Sequence, residues 1–243
     1  MKASVVSGFE ILLRDHHKRI INSPIANRRV GLVSNASGVT RDLGSNVIAL
    51  QQAADVELAA LFGPEHGFAG AIADGTAVAN TTNATLPIYS LYGSRSSEGA
   101  DSFRPTAEML TGLDVLIFDI QPVGARFYTY LTTLLYVMQT VAEHNLPLIV
   151  CDRPNPIGGE IIEGPILDES FSSFVGCGAL PIRHGLTIGE AARLFNEVWQ
   201  TNCDLTVIGC EGWRRGMFFD ETGLPWVAPS PNMPKWETAV LYP

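Results

Sequence analysis

The 243-residue chain is 46% hydrophobic and 17% charged, enough for one large α/β domain, or one domain plus a fragment of a second, and too apolar for a disordered chain. Its formal net charge of −9 and its pI near 5.0 disfavour nucleic acid and anionic lipid as partners, and no basic patch offsets them. Four cysteines without CxxC or zinc-finger spacing predict reduced, mostly buried thiols. No signal-peptide order and no apolar run near the roughly 20 residues of a membrane span is visible, which predicts a cytoplasmic protein, or a periplasmic or secreted one if a signal was removed.

In chain order, His16-His17-Lys18-Arg19 reads as a solvated helix face. Arg29–Asn35 is a short apolar run ending in turn residues, the pattern of a buried parallel strand. Asn46–Ala54 reads as a helix and Val56–Phe62 as a second strand. Asp114–Asp119 is the clearest buried strand. Phe127, Tyr130, Leu131, Leu134, Met138 and Val141 recur at helical spacing until Asn145 and Pro147 stop them. Leu148–Asp152 is a further strand, and Thr187 opens a helix with Ile188, Ala191, Phe195 and Val198 as its apolar stripe. Leu205–Ile208 makes another strand. Alternating strands and helices predict an α/β, Rossmann-like three-layer sandwich with a mostly parallel, doubly wound sheet. The expected division is a domain over residues 1–211, then an ordered loop region, 212–243, leading into a C-terminal domain that this chain lacks.

Ligands of such sheets bind beyond the carboxyl ends of the strands. Here those ends run into Gly63-Pro64-Glu65-His66-Gly67-Phe68, into Ile120–Tyr128 with Arg126, into Arg153–Gly159, and a further loop holds Arg183-His184-Gly185. Acid, arginine and histidine are gathered in Gly- and Pro-rich loops, the usual construction of a site on a scaffold. Plainer roles compete. Asp119 and Asp152 stand where helix-capping residues stand, Arg126 and Asp119 suit a loop-fixing pair, and Thr187-Ile188-Gly189-Glu190 matches a capping box. His66 and His184 suit hydrogen-bonded loop histidines equally well. Glu65 is the hardest to explain without chemistry.

The first strand ends in Ser34-Asn35-Ala36-Ser37-Gly38, not GxGxxG, so no dinucleotide cofactor is expected. Neither a phosphate loop nor a GxSxG nucleophile turn is present. Glu65, His66, Asp119, Asp152 and His184 lack HExxH-type spacing, so no metal site is expected. Carboxylates without nucleophile or cofactor leave acid–base hydrolysis.

Five segments then carry a resemblance: Leu61–Phe68, Asp119–Gln121 with Gly124–Tyr130, Asp152–Gly159, Arg183–Glu190, and Pro229-Ser230-Pro231-Asn232-Met233-Pro234. Together, and in this order, the chain resembles the exo-β-N-acetylmuramidase family of peptidoglycan glycoside hydrolases. The resemblance implies a Rossmann-like N-terminal domain, a smaller C-terminal domain, a cleft between them, and release of terminal N-acetylmuramic acid from non-reducing ends of peptidoglycan fragments. Pro122 stands where the family usually has an acidic residue.

Glycoside hydrolysis needs an acid for the leaving oxygen and a group that stabilises the oxocarbenium-like transition state. Glu65 is the candidate acid and Asp119 the second carboxylate, as base or as orienter of the substrate acetamide; that acetamide is an alternative nucleophile. Arg126, Arg153 and Arg183 are candidates for the lactyl carboxylate, which an arginine fork grips at two points. His66 and His184 are candidates for sugar hydroxyls, Tyr128 for stacking or hydrogen bonding, and Asp152, Asn155, Ser230 and Asn232 complete the candidate binding residues. The partner expected is a peptidoglycan-derived saccharide, with oligomeric state undetermined. The competing readings are a muropeptide-binding module without activity and a metal-dependent carbohydrate hydrolase.

Overall fold

The computed structural model describes residues 5–17, 23–69, 81–83, 86–92, 94–95 and 101–243. In chain order the elements are α1 Gly8–His17, β1 Arg28–Ser34, α2 Asn46–Gln52, β2 Val56–Gly63, β3 Thr81–Asn83, β4 Leu86–Ser90, β5 Ser94–Arg95, β6 Asp101–Ser102, α3 Ala107–Leu110, β7 Val115–Asp119, α4 Tyr130–Glu143, β8 Leu148–Cys151, α5 Ile188–Glu197, β9 Leu205–Ile208 and α6 Trp236–Val240. The main sheet runs β3-β4-β2-β1-β7-β8-β9; every pairing is parallel except β3 with β4, while β5 and β6 form a separate antiparallel pair.

Counting only the six parallel strands in chain order, the sheet reads 3-2-1-4-5-6, the doubly wound Rossmann order. The chain therefore reverses its direction of travel between β1 and β7, and the crevice of such a fold opens beyond their carboxyl ends.

Both faces are covered, which is why the central strands read as continuous apolar runs. On one face Val33, Phe62, Leu116, Phe118 and Val150 pack under Leu131, Leu134 and Met138 of α4 and Ile188, Ala191 and Phe195 of α5. On the other, Val30, Leu32, Leu61, Ile117 and Ile149 meet Phe9 and Leu12 of α1 and Leu50 of α2. The alternation follows the two-residue period of a strand. The α/β sandwich expected from the sequence is the fold this chain adopts.

The differences are local. The helix expected from Phe127 begins at Tyr130, because Tyr128 closes a turn by donating its N–H to Ala125 O at 3.2 Å. The α2 helix stops at Gln52, where Ala53 turns extended. His16 is not on a solvated face: it is buried, with Nδ1 2.9 Å from Ser23 Oγ and Nε2 2.7 Å from Ala54 O. Lys18 and Arg19 lie outside the described residues. The four cysteines are free thiols, Cys151 and Cys203 buried. Residues beyond 211 fold back onto the domain: Val6 bridges Glu211, Val5 donates to Thr222 O at 3.0 Å, and Phe219 donates to Pro156 O at 3.0 Å. Among the described residues no helix is long and apolar enough to cross a membrane.

Helix α1 is seated by a glycine. The Gly8 N–H reaches Asp152 O at 2.8 Å, and a Cβ there would stand 2.1 Å from Ile208 O and 2.4 Å from Asp152 N. Helix propensity alone makes Gly8→Ala stabilising by about 1 kcal/mol; the backbone contact reverses the sign. Gly8→Ala is expected to cost about 3 kcal/mol in urea unfolding, the upper range for overpacking. A neutral or stabilising result would contradict this seating.

Candidate active site

The β2 strand ends at Gly63, and the chain turns at once. Gly67 N donates to Pro64 O at 3.0 Å, with His66 at φ 71°, so Pro64–Gly67 is a β-turn with its third residue left-handed. That place favours glycine or asparagine; a histidine there stores strain of about 1 kcal/mol or more. Its N-terminal neighbour is Glu65. A Cβ on Gly63 would lie 2.7 Å from Phe68 N, so the turn folds flush against the strand end.

Half-buried Glu65 is met by the start of α4. Thr129 Oγ1 donates to Glu65 Oε2 at 2.8 Å. Thr129 is the N-cap residue of α4, yet it has helical dihedrals and its hydroxyl makes no capping bond. An N-cap bond is worth about 1 kcal/mol, and here the hydroxyl serves the glutamate instead. Tyr128 and Tyr130 flank the pair, ring centroids 4.7 Å apart and edge to face. Burial raises both phenols well above their usual range, so both are neutral donors. Tyr130 donates to Pro229 O at 2.5 Å and accepts from Asn35 Nδ2 at 2.8 Å. Buried Ser230 follows, adjoining the Tyr128 hydroxyl, and Tyr242 meets the Tyr128 ring at 6.0 Å. Residues from β1, β2, α4 and the C-terminal segment thus converge at the switch point.

Asp119 lies beneath, with 0% exposure. Its Oδ1 accepts from Arg153 Nε at 2.6 Å, and its Oδ2 accepts from Arg153 Nη2 at 2.9 Å and Asn46 Nδ2 at 2.8 Å. Arg153 also donates to Val39 O at 3.1 Å. The arginine held by Asp119 is therefore Arg153, not Arg126. The reason is placement: Arg153 follows β8, next to β7, whereas Arg126 Nη1 turns outward to Pro165 O at 2.8 Å and Leu180 O at 2.6 Å.

Asp152 does cap a helix. Its Oδ1 accepts from Gly189 N at 2.8 Å and its Oδ2 from Thr187 Oγ1 at 3.0 Å, at the start of α5. The capping box at Thr187 and Glu190 is present as read. Asn155 is fully buried, accepting from Ile157 N at 3.1 Å and donating to Leu186 O at 2.9 Å. Arg183 donates to Glu163 Oε2 at 2.9 Å and to Ile157 O. Asn232 is exposed. His66 is buried in its turn. Among the described residues no group of three or more His, Cys, Asp or Glu is placed to hold a metal ion.

His184 is 3% exposed, and its Nδ1 accepts from Leu186 N at 3.0 Å, which places the proton on Nε2. That Nε2–H is buried and has no hydrogen-bond partner. Thr129, Tyr130 and Asn35 join the site although nothing local in the sequence marks them for it beyond the position of Asn35 directly after the first strand. Arg215, which donates to Glu190 Oε1 at 2.5 Å and to the carbonyls of Gly159 and Gly185, had no local signal at all.

Two buried groups give opposite pH slopes. Burial pushes Asp152 up to about 6 from 3.8, so its share of stability is present below pH 3.8 and is lost as pH rises through 6. Burial pulls His184 down to about 4 from 6.5, so its share is present above pH 6.5 and is lost as pH falls through 4. Each is worth about 3 kcal/mol by linkage, and between pH 4 and 6 they nearly cancel. Asp152→Asn is expected to become less stable as pH falls through that window, and His184→Asn more stable. Parallel slopes in urea unfolding of the two variants would contradict the assignment.

The family described as exo-beta-N-acetylmuramidase NamZ, N-terminal, matches residues 30–237. A relative from Bacillus subtilis (strain 168), named peptidoglycan beta-N-acetylmuramidase NamZ, is 45% identical over 244 residues, covering 100% of this chain and 56% of its own length. Two crystal structures of DUF1343 family proteins from Bacteroides fragilis superpose with TM-scores of 0.86 and 0.77 at 38% and 32% identity. They align with 100% and 99% of this chain, and with 59% and 60% of their own. The chain thus spans little more than half the length of these relatives. With residues 30–237 matched, it belongs to the NamZ exo-β-N-acetylmuramidase N-terminal domain family.

Proposed function

We propose that this chain carries the acid of an exo-acting β-N-acetylmuramidase, which releases terminal N-acetylmuramic acid from the non-reducing ends of peptidoglycan fragments. The observation that carries the reading is Glu65, set in a strained turn at the switch point and held by Thr129, in a chain of this family. The resemblance motifs surround it: the Tyr128–Tyr130 segment and Pro229-Ser230 pack into one rim.

Glu65 protonates the glycosidic oxygen as the bond to C1 breaks. Asp119 is wholly buried against Arg153 and Asn46, so its part is to brace the strand ends under the site. The nucleophile is then the substrate's own acetamide: its carbonyl oxygen closes on C1 to give an oxazolinium ion. Water, giving its proton to the Glu65 carboxylate, reopens the ring with the anomeric configuration retained. Tyr128 and His184, the candidates for substrate oxygens, are both neutral and both buried in this chain. Arg153 is committed to Asp119, which leaves Arg126, whose Nη1 holds two carbonyls, and Arg183, paired with Glu163, as the remaining candidates for the lactyl carboxylate.

Glu65→Gln is expected to lower turnover of a chromogenic N-acetylmuraminide at least about a hundredfold. Activity within about tenfold of the wild type would remove Glu65 as the acid. The matched N-acetylglucosaminide, which lacks the lactyl group, is expected to react at least about tenfold more slowly in kcat/KM. Equal turnover of both sugars would contradict lactyl recognition.

A further inference from the structure

We infer that Thr129 is a positioning residue for the reaction: its hydroxyl fixes the Glu65 carboxyl in the orientation from which the proton is delivered. The inference rests on Glu65 being the acid, and it names the group that makes that acid effective.

The geometry is specific. Thr129 is nearly buried, its hydroxyl lies 2.8 Å from Glu65 Oε2, and the two residues come from separate elements, 64 positions apart. A threonine at an N-cap normally gives its hydroxyl to the first turn of its own helix. This one does not: its backbone is already helical, at φ −59° and ψ −16°, and no side-chain capping bond forms. Its carbonyl oxygen accepts from Thr133 N at 2.8 Å and Thr133 Oγ1 at 3.2 Å, so the backbone is anchored from the helix side. The hydroxyl is therefore a rigidly mounted donor. A glutamate has three rotatable bonds, and a proton is transferred well only from a carboxyl held within hydrogen-bond reach and in line with the leaving oxygen. The strained His66 turn fixes the Glu65 backbone, and Thr129 fixes the far end of its side chain.

The test compares Thr129→Val, which keeps the branched shape and removes the donor, with Thr129→Ser, which keeps the donor. Because the hydroxyl caps nothing, both variants are expected to melt within about 3 °C of the wild type. Thr129→Val is expected to lower kcat on the chromogenic N-acetylmuraminide about tenfold with KM within about twofold. The alkaline limb of its pH–activity profile moves up, since a lost donor disfavours the ionised carboxyl. Thr129→Ser is expected to stay within about twofold of the wild type. A crystal structure of Thr129→Val is expected to show the Glu65 carboxyl in a different rotamer. Wild-type kcat and profile in Thr129→Val, equal impairment in Thr129→Ser, or an unmoved carboxyl in the crystal would each overturn the inference. Glu65→Gln separates the two claims: if it retains activity the parent reading falls, while the crystal structure still judges whether Thr129 holds the carboxyl.

Discussion

Arg153 and Asp119 face each other with their side chains 5% and 0% exposed, and this ion pair holds the switch point closed. Asp119 ends β7 and Arg153 follows β8, so the two contacts of the guanidinium tie the carboxyl ends of adjacent strands. Asn46, at the start of α2, joins from the other side through Asp119 Oδ2 and Ser34 Oγ, and Ser34 in turn donates to Asp119 O. Burying two charges is costly, and the pair is tolerated because the remaining lone pairs and protons find partners. Removing either charge alone would leave the other unpaired in the interior, at a cost of about 3–5 kcal/mol. The rim above it inherits its geometry from this brace. Gln121, two residues past Asp119, donates to Pro154 O at 2.8 Å, and its N–H reaches Ser37 Oγ at 3.1 Å.

On that base the chemistry is divided between layers. Polar groups at the floor satisfy one another and meet no solvent, while those at the rim are half-buried. The Asp119 carboxylate belongs to the first class and Glu65 to the second. The Tyr128 hydroxyl is buried against Ser230 and Tyr130, and the buried Nε2–H of His184 finds no acceptor. A buried donor left in that condition is costly to a protein.

Much of the fold was legible because its signals are local. Val115–Asp119 is buried on both faces and so reads as an uninterrupted apolar run; α4 carries its helical period over fourteen residues. The capping box at Thr187 is a four-residue pattern with a direct mechanical cause. The short strands β3 and β4 gave no such signal, since β4 is brief, contains Pro87 and pairs near the sheet edge. Among the site residues, the loops that form the rim could be named from where strands end. Their partners could not. The distance from Asn46 to Asp119 along the chain is 73 residues, and from Thr129 to Glu65 it is 64, so neither pairing leaves a trace in local pattern. Arg126 and Arg153 look alike in sequence, each in a loop that follows a strand and an aspartate. Only the strand order decides which of them reaches Asp119.

As the acid, Glu65 would stand at the anomeric end of a bound N-acetylmuramic acid, and a crystal structure of the protein soaked with that sugar locates the two together. The expected result is a Glu65 carboxyl oxygen within about 3 Å of the anomeric oxygen, with the acetamide folded back towards C1. A sugar bound with its anomeric carbon remote from Glu65, or seated against the Arg215 side of the sheet edge, would contradict it.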